Sequence, residues 1–186
     1  MPPPKLRCDI VAAGETRDMV AFHGQTRVYS GESIVVTSHA MDTIALASDH
    51  AGFALKAEIA AELERLGYAV LDLGTESAQS VDYPDFATAL AQAIGRGEVT
   101  RGVLICGTGL GISIAANRYA AVRAAPCTNA TMARLARRHN DANVLALGQR
   151  LIGIEIALEC LRVFLDTPFE GGRHQRRVDK LSTAGA

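Results

Sequence analysis

Apolar residues beyond residue 43 alternate between short continuous runs and longer stretches with helical spacing. Five runs, at residues 44–47, 69–71, 103–105, 122–125 and 144–147, have the length and composition of buried strands. Strands that are apolar at every position are typical of parallel sheets covered on both faces. The pattern therefore predicts five parallel strands.

Between these runs, apolar residues recur at intervals of three and four, which predicts helices. In chain order the helical positions are Leu55, Ile59, Leu63 and Leu66; Phe86, Leu90 and Ile94; Met132, Leu135 and His139; and Ile154, Leu158, Leu161 and Leu165. Gly67 and Gly95 are placed to end the first two helices, and Pro84 lies near the first turn of the second. Thr128 or Asn129 is a candidate N-cap for the third, and the last stops before Pro168.

Strands that alternate with helices predict a three-layer α/β/α, Rossmann-like fold with a five-stranded parallel sheet. Ligands bind such a sheet at the carboxyl ends of its strands, which here are residues 48–50, 106–108 and 148–150. Residues 1–40 show no sustained period. We expect them to form an N-terminal extension of unknown role, followed by one domain over residues 41–186.

Charge and cysteine content exclude several classes of partner. Lysine and arginine total 19 against 20 acidic residues, so no generic nucleic-acid surface is expected. No segment approaches the roughly 18 apolar residues of a membrane span. The cysteines, Cys8, Cys106, Cys127 and Cys160, show no metal-ligand spacing and no disulfide framework. We therefore expect a cytoplasmic protein with reduced thiols, no bound metal and no membrane partner.

The stretch "CGTGLG" places Gly107, Gly109 and Gly111 between the third strand and a helix. A dinucleotide fingerprint needs a glycine where Ile112 stands, and no acidic residue follows at the required distance. The loop is either an idle tight turn or an anion hole, in which successive N–H groups hold a phosphate or a developing oxyanion. In an anion hole, the N–H groups would also stabilise a thiolate at Cys106, making it a nucleophile or a base. Otherwise Cys106 is a small buried apolar residue.

Three further groups of polar residues suit either a structural or a chemical role. Asp49 and His50 follow the first strand, where Ser48 or Asp49 would cap a helix and His50 would contact a ligand. His139 complements a helix dipole, or lies with Asn140 in a loop and transfers protons. Arg173 and Arg177 lie one turn apart if helical, able to grip a dianion or merely to be solvated. This basic segment could also reach a neighbouring subunit.

Five stretches, "ASDHAGFALK", "VDYPDFA", "GVLICGTGLGISIAANR", "RRHNDANVLALGQR" and "EGGRHQRRV", occur together in this order. From residue 41 onward the chain resembles type B ribose-5-phosphate isomerases, within the wider ribose/galactose-phosphate isomerase family. The resemblance implies an aldose–ketose isomerase without metal or other cofactor. Such an enzyme opens the ring of D-ribose 5-phosphate and moves a proton through a cis-enediolate to give D-ribulose 5-phosphate, in the pentose phosphate pathway.

The resemblance also implies roles for individual residues. Cys106 would be the base, Thr108 would assist proton transfer at the substrate oxygens, and His139 would open the ring. Some relatives carry a glutamate in place of Ile112, so this chain has the cysteine form of the site. The implied substrate-binding residues are Asp49, His50, Tyr83, Gly107, Gly109, Gly111, Asn140, Arg150, Arg173 and Arg177.

The same resemblance implies a homodimer or homotetramer whose active sites are shared between subunits. The sequence leaves the substrate open. Galactose 6-phosphate, allose 6-phosphate or a tetrose phosphate are alternatives to the pentose. A noncatalytic sugar-phosphate-binding subunit on the same fold is a further alternative.

Overall fold

A computed structural model describes residues 42–183, so the extension expected over residues 1–40 lies outside the described part of the chain. The strands are β1 (Thr43–Ser48), β2 (Ala69–Asp72), β3 (Arg101–Cys106), β4 (Ala124–Pro126) and β5 (Val144–Gly148). The helices are α1 (Phe53–Arg65), α2 (Tyr83–Gly95), α3 (Leu110–Ala116), α4 (Ala130–Asn140), α5 (Ile154–Asp166) and α6 (Gln175–Thr183). Short 3₁₀ turns, His50–Gly52 and Gly172–His174, precede α1 and α6.

The sheet is parallel throughout, with the strand order β2-β1-β3-β5-β4. In the register, Ser48 pairs with Ile105 and Cys106 pairs with Gly148. The carboxyl ends of β1, β3 and β5 therefore lie side by side at one edge of the sheet. The prediction of a Rossmann-like α/β fold with five parallel strands is confirmed.

The alternation of side chains along each strand divides the core between the two faces of the sheet. Ile44 and Leu46 pack with residues of α1, α4 and α5, whereas Ala45 and Ala47 pack with residues of α2 and α3. This arrangement confirms the three layers. Among the described residues, no helix is long and apolar enough to cross a membrane.

Several local signals act as predicted. Gly67 follows α1 with φ of 86°, and Pro84 lies in the first turn of α2. Asn129, rather than Thr128, caps α4, because its side chain accepts a hydrogen bond from the Met132 N–H at 3.0 Å. Asp49, rather than Ser48, caps the 3₁₀ turn before α1.

Two boundaries differ from the prediction. β4 comprises Ala124–Pro126 instead of residues 122–125, because the Val122 N–H closes a turn onto the Tyr119 carbonyl. Gly95 lies within α2 and does not end it. The left-handed residue that follows the helix is Gly97, with φ of 73°.

The predictions for α4 need two corrections. His139 and Asn140 are the last residues of the helix and not part of a loop, because the left-handed turn comes only at Asp141, with φ of 45°. The face that packs against the core carries Ala133 and Ala136, whose small side chains allow close approach to α5. Met132 and Leu135 are therefore exposed.

Candidate active site

A cavity of about 290 Å³ lies where the carboxyl ends of β1, β3 and β5 meet. Its lining consists of Asp49, His50, Ala51, Tyr83, Cys106, Gly107, Thr108, Gly111 and Arg150. Most of these residues were selected from the sequence as site residues. We refer to this cavity as the strand-end pocket.

Cys106 ends β3 and is 4% exposed, with its sulfur at the base of the strand-end pocket. The Gly109 N–H donates a hydrogen bond to Sγ at 3.0 Å. Gly109 has φ of 77°, a left-handed conformation that L side chains rarely adopt, and this conformation turns the loop into α3. The loop therefore directs a backbone N–H onto the cysteine sulfur.

The pocket walls come from different parts of the chain. The Tyr83 ring, at the start of α2, lies against Gly111 so closely that a Cβ there would be 2.8 Å from the ring Cζ. The Arg150 side chain passes beside Gly107, with its Nη1 3.4 Å from the position of a Cβ. Thr108 is exposed to the pocket, and its Oγ1 accepts from the Leu110 N–H at 3.3 Å.

Asp49 and His50 form the wall that follows β1. One carboxylate oxygen of Asp49 accepts from the N–H groups of Ala51 and Gly52, at 2.9 and 3.1 Å. His50 Nδ1 lies 3.2 Å from both the carbonyl oxygen and the nitrogen of Val81, so either tautomer forms a bond there. These contacts fix both side chains beside the pocket and tie them to the segment that leads into Tyr83.

A second group of residues lies near the end of α4 and includes the predicted His139, Arg173 and Arg177. The His139 and His174 rings stack with centroids 4.3 Å apart and an interplanar angle of 6°. Arg173 Nε donates to His174 Nε2 at 3.3 Å, and Glu170 Oε2 lies 4.0 Å from His139 Nε2. Arg177 follows on α6, close enough for its charge to act on His174. We call these residues the histidine–arginine cluster.

Electrostatics in the histidine–arginine cluster favour an anion. Burial lowers the pKa of His174, and the charges of His139 and Arg173 lower it further, so its ring is held neutral. The ring nitrogens of His139 and His174 and a carboxylate oxygen of Glu170 lie within 4.8 Å of one another, a spacing at which they could bind a metal ion. Arg173 binds His174 and Arg138 binds Glu170, however, so guanidinium groups already occupy the site and oppose a cation.

The sheet separates the strand-end pocket from the histidine–arginine cluster. Cys106 pairs with Gly148 at the carboxyl end of β5, whereas His139 and Asn140 immediately precede the amino end of that strand. A five-residue strand spans roughly 16 Å at about 3.3 Å per residue. Within one chain the structure therefore brings together Asp49, His50, Tyr83, Cys106, Gly107, Thr108, Gly111 and Arg150, with Gly109 beneath the sulfur, but not His139, Asn140, Arg173 or Arg177.

Four residues that belong to these groups or touch them were not among the predicted site residues: Ala51, Gln149, Glu170 and His174. Glu170 faces His139, and Gln149 precedes Arg150 in the chain. Gln149 stands at a predicted strand end, so its position was a usable signal. Nothing in the sequence around Glu170 indicates that it lies beside α4, because that contact depends on how the chain returns after α5.

Comparison with known proteins now adds to this geometry. Residues 44–181 match the family model described as Ribose/Galactose Isomerase. The chain belongs to this family. The chain is therefore a sugar-phosphate isomerase.

Individual relatives are similar over most of the chain. Ribose-5-phosphate isomerase B of Escherichia coli is 49% identical over 142 residues, which cover 76% of this chain and 95% of the relative. D-erythrulose-4-phosphate isomerase of Pectobacterium atrosepticum is 42% identical, over 76% and 93% of the two chains. The solved structure of a ribose 5-phosphate isomerase from Thermotoga maritima is 53% identical, with a TM-score of 0.76 over 77% and 99%.

Proposed function

We propose that this sugar-phosphate isomerase interconverts D-ribose 5-phosphate and D-ribulose 5-phosphate. The observation that carries the proposal is the cysteine sulfur of Cys106, which lies in a polar strand-end pocket and accepts a backbone N–H bond from Gly109. The relatives named as ribose-5-phosphate isomerases support the pentose as substrate.

In the proposed mechanism, the Cys106 thiolate takes the proton from C2 of the open-chain aldose. The C–H electron pair forms the C1–C2 double bond, and the negative charge moves to the oxygen on C1, giving an enediolate. Thr108 assists proton movement between the oxygens, and the Cys106 thiol then returns its proton to C1. The loop from Gly107 to Gly111 would stabilise the developing charge, and loss of one preorganised oxyanion donor typically costs about 10²- to 10³-fold in rate.

The variant Cys106→Ala tests the base directly. We expect turnover of ribose 5-phosphate to fall below detection while the sugar phosphate still raises the melting temperature of the variant. Cys106→Ser is the conservative partner, and it should also fail because a hydroxyl is a far weaker acid than a thiol. Normal turnover by either variant would refute the role of Cys106.

A tetrose phosphate is an alternative substrate, because one relative is named D-erythrulose-4-phosphate isomerase. We expect kcat/KM to be highest for ribose 5-phosphate in a panel that includes tetrose, allose and galactose phosphates. A higher value for another sugar would reassign the substrate and leave the mechanism intact. Binding of all these sugars without proton exchange into solvent deuterium would instead favour a noncatalytic subunit.

We further propose that each complete site is shared between two copies of the chain. His139 and the arginines lie at the edge of the sheet opposite Cys106, so one copy cannot present both to one sugar. Leu110 and Ile114, 54% and 66% exposed on α3 beside the strand-end pocket, offer an apolar surface for a second copy. His139 of that copy would open the ring, and Asn140, Arg173 and Arg177 would bind the sugar phosphate.

Mixing two inactive variants tests the sharing. Cys106→Ala and His139→Ala chains, unfolded together and refolded in equal amounts, should recover about a quarter of wild-type activity, because each mixed dimer has one intact site. Refolding each variant alone is the control and should recover none. No recovery in a mixture whose mixed dimers are demonstrated by mass spectrometry would contradict the shared site.

A further inference from the structure

We propose that Gln149 is a positioning residue that caps α1 from the far side of the strand-end pocket. Through this cap it fixes the positions of Asp49 and His50 relative to Cys106 and Arg150. This inference deepens the proposed isomerase function and rests on it. It arises from hydrogen bonds that link segments 94 residues apart in the chain.

Helix α1 lacks a side-chain cap of its own. Its N-cap position is Gly52, and no side chain bonds there to the first-turn N–H groups from that residue. A Cβ at Gly52 would lie 2.7 Å from the carbonyl oxygen of Ile105, so the close approach of the 3₁₀ turn to β3 demands glycine. The ordinary capping residues, Ser, Thr, Asp and Asn, are thereby excluded from this position.

Asp49 cannot supply the missing acceptor without changing its role. Its Oδ1 already accepts from Ala51 and Gly52, which satisfies the 3₁₀ turn. The next donor that needs a partner is the N–H of Leu55, a residue that is 6% exposed. Leaving a buried N–H without an acceptor is unfavourable, so the helix start needs another partner.

Gln149 meets this need from the loop after β5. Its Oε1 accepts from the Leu55 N–H at 2.8 Å. Its own N–H donates to the carbonyl of Cys106 at 3.0 Å, and the N–H of the next residue, Arg150, donates to the Gly107 carbonyl at 3.0 Å. Gln149 therefore joins the start of α1 to the end of β3, and the bond from Arg150 holds the same segment against Gly107.

The consequence for the site follows from these bonds. Without the Gln149 acceptor, the Leu55 N–H would draw the Asp49 carboxylate or water toward the helix start. Either change shifts Asp49 and His50, which line the strand-end pocket, relative to the Cys106 sulfur. Displacement of substrate-contacting groups by about 1 Å is enough to lower rates by as much as about 100-fold.

Two substitutions of similar size separate the acceptor from the volume of the side chain. Gln149→Met removes the oxygen that faces Leu55, whereas Gln149→Glu keeps an acceptor and places a favourable negative charge at a helix start. We expect kcat/KM for ribose 5-phosphate to fall about tenfold in the Met variant and to stay within about twofold of wild type in the Glu variant. Equal loss in both variants, or no loss in Met, would overturn the proposal.

A matched control distinguishes positioning from general destabilisation. Asn129 makes the same kind of bond to the Met132 N–H of α4, outside the strand-end pocket. Asn129→Ala should lower the melting temperature about as much as Gln149→Met while kcat/KM stays near the wild-type value. If Asn129→Ala loses as much kcat/KM as Gln149→Met, the effect of Gln149 is only structural.

A readout that needs no substrate keeps this proposal separate from the proposed function. Hydrogen exchange of peptides spanning residues 50–56 should be accelerated in Gln149→Met and not in Gln149→Glu. If wild type proves inactive on ribose 5-phosphate, the proposed function fails, and the exchange result still reports on the cap. Unchanged exchange in Gln149→Met would refute the cap itself.

Discussion

The strand-end pocket and the histidine–arginine cluster differ in the groups that supply their hydrogen-bond donors. In the pocket, many of the hydrogen bonds are donated by the backbone. The Gly109 N–H bonds to Cys106, and two N–H groups bond to Asp49. In the cluster, the contacts are made by side chains, which are stacked imidazole rings and guanidinium groups such as that of Arg173. A developing enediolate needs donors fixed at short range, whereas a phosphate dianion needs charge.

Within the cluster, the largest effect is expected from removing positive charge. Arg173→Ala and Arg177→Ala should each raise KM for the sugar phosphate by about 10- to 100-fold, the equivalent of one charged hydrogen bond, with a smaller change in kcat. Steady-state kinetics measure this. Arg176→Ala, an exposed residue of the same charge on α6, is the control and should leave KM unchanged. Equal effects from all three would mean that only net charge matters.

Alkylation should distinguish Cys106 in the strand-end pocket from the buried thiols of Cys127 and Cys160. Burial raises the pKa of Cys127 to about 12 and that of Cys160 to about 11, so both remain protonated at pH 8. We expect iodoacetamide to label Cys106 at least about 100-fold faster than either, as measured by peptide mapping. Ribose 5-phosphate should slow the labelling of Cys106. Faster labelling of Cys127 or Cys160 would place the reactive thiol elsewhere.

A smaller effect is expected from the turn at Asp141, which follows His139 at the end of α4. Asp141 has φ of 45°, and its carboxylate pairs with Arg123 at 2.7 Å and with Arg137 at 2.9 Å. Asp141→Asn keeps a residue that tolerates this backbone and loses the charge. We expect kcat/KM to fall about fivefold and stability by about 1–2 kcal/mol, measured by kinetics and urea unfolding.

The control for Asp141 is the exposed pair of Arg96 and Glu98, whose atoms lie 2.7 Å apart. Glu98→Gln should change stability by less than about 0.5 kcal/mol and leave activity intact. A comparable loss in the two variants would show that the bond to Asp141 contributes no more than a surface pair.

The smallest effect concerns stability in acid, away from both sites. Hydrogen bonds from Arg65 and then Arg162 lower the pKa of Glu62 to about 2. Between that value and its ordinary pKa of 4.5, the unfolded chain binds more protons than the folded chain. The wild type should therefore exceed Glu62→Gln in free energy of unfolding by the full amount above about pH 4.5. This difference should disappear as the pH falls toward 2. Urea unfolding at several pH values measures it, and a pH-independent difference would contradict it.

Sequence patterns were sufficient for the pocket and insufficient for the cluster. The apolar runs predict all five strands. The rule that ligands bind at strand ends predicts that Asp49, Cys106 and Arg150 lie close together. These residues adjoin the strands that place them, so local sequence determines their position. The one strand that shifted, β4, is a three-residue edge strand with little apolar pattern to mark it.

The cluster depends on contacts that local patterns do not encode. Glu170 reaches α4 through a backbone bond from its N–H to the Arg138 carbonyl, across 32 residues of chain. The helical spacing of Met132 and Leu135 marked a face that proves to be exposed, because alanines make the closer approach to α5. Small residues give a weak hydrophobic signal even where they determine packing.

Tyr83 lines the strand-end pocket from the start of α2, apart from the strand ends that supply most of the lining. Its ring lies against Gly111, yet it belongs to the start of α2 and is 39% exposed. The mouth of the pocket can therefore be widened or narrowed by substitutions on α2 while the loop after β3 keeps its geometry. A scaffold organised in this way can acquire a shorter or longer substrate during evolution without rebuilding its reaction.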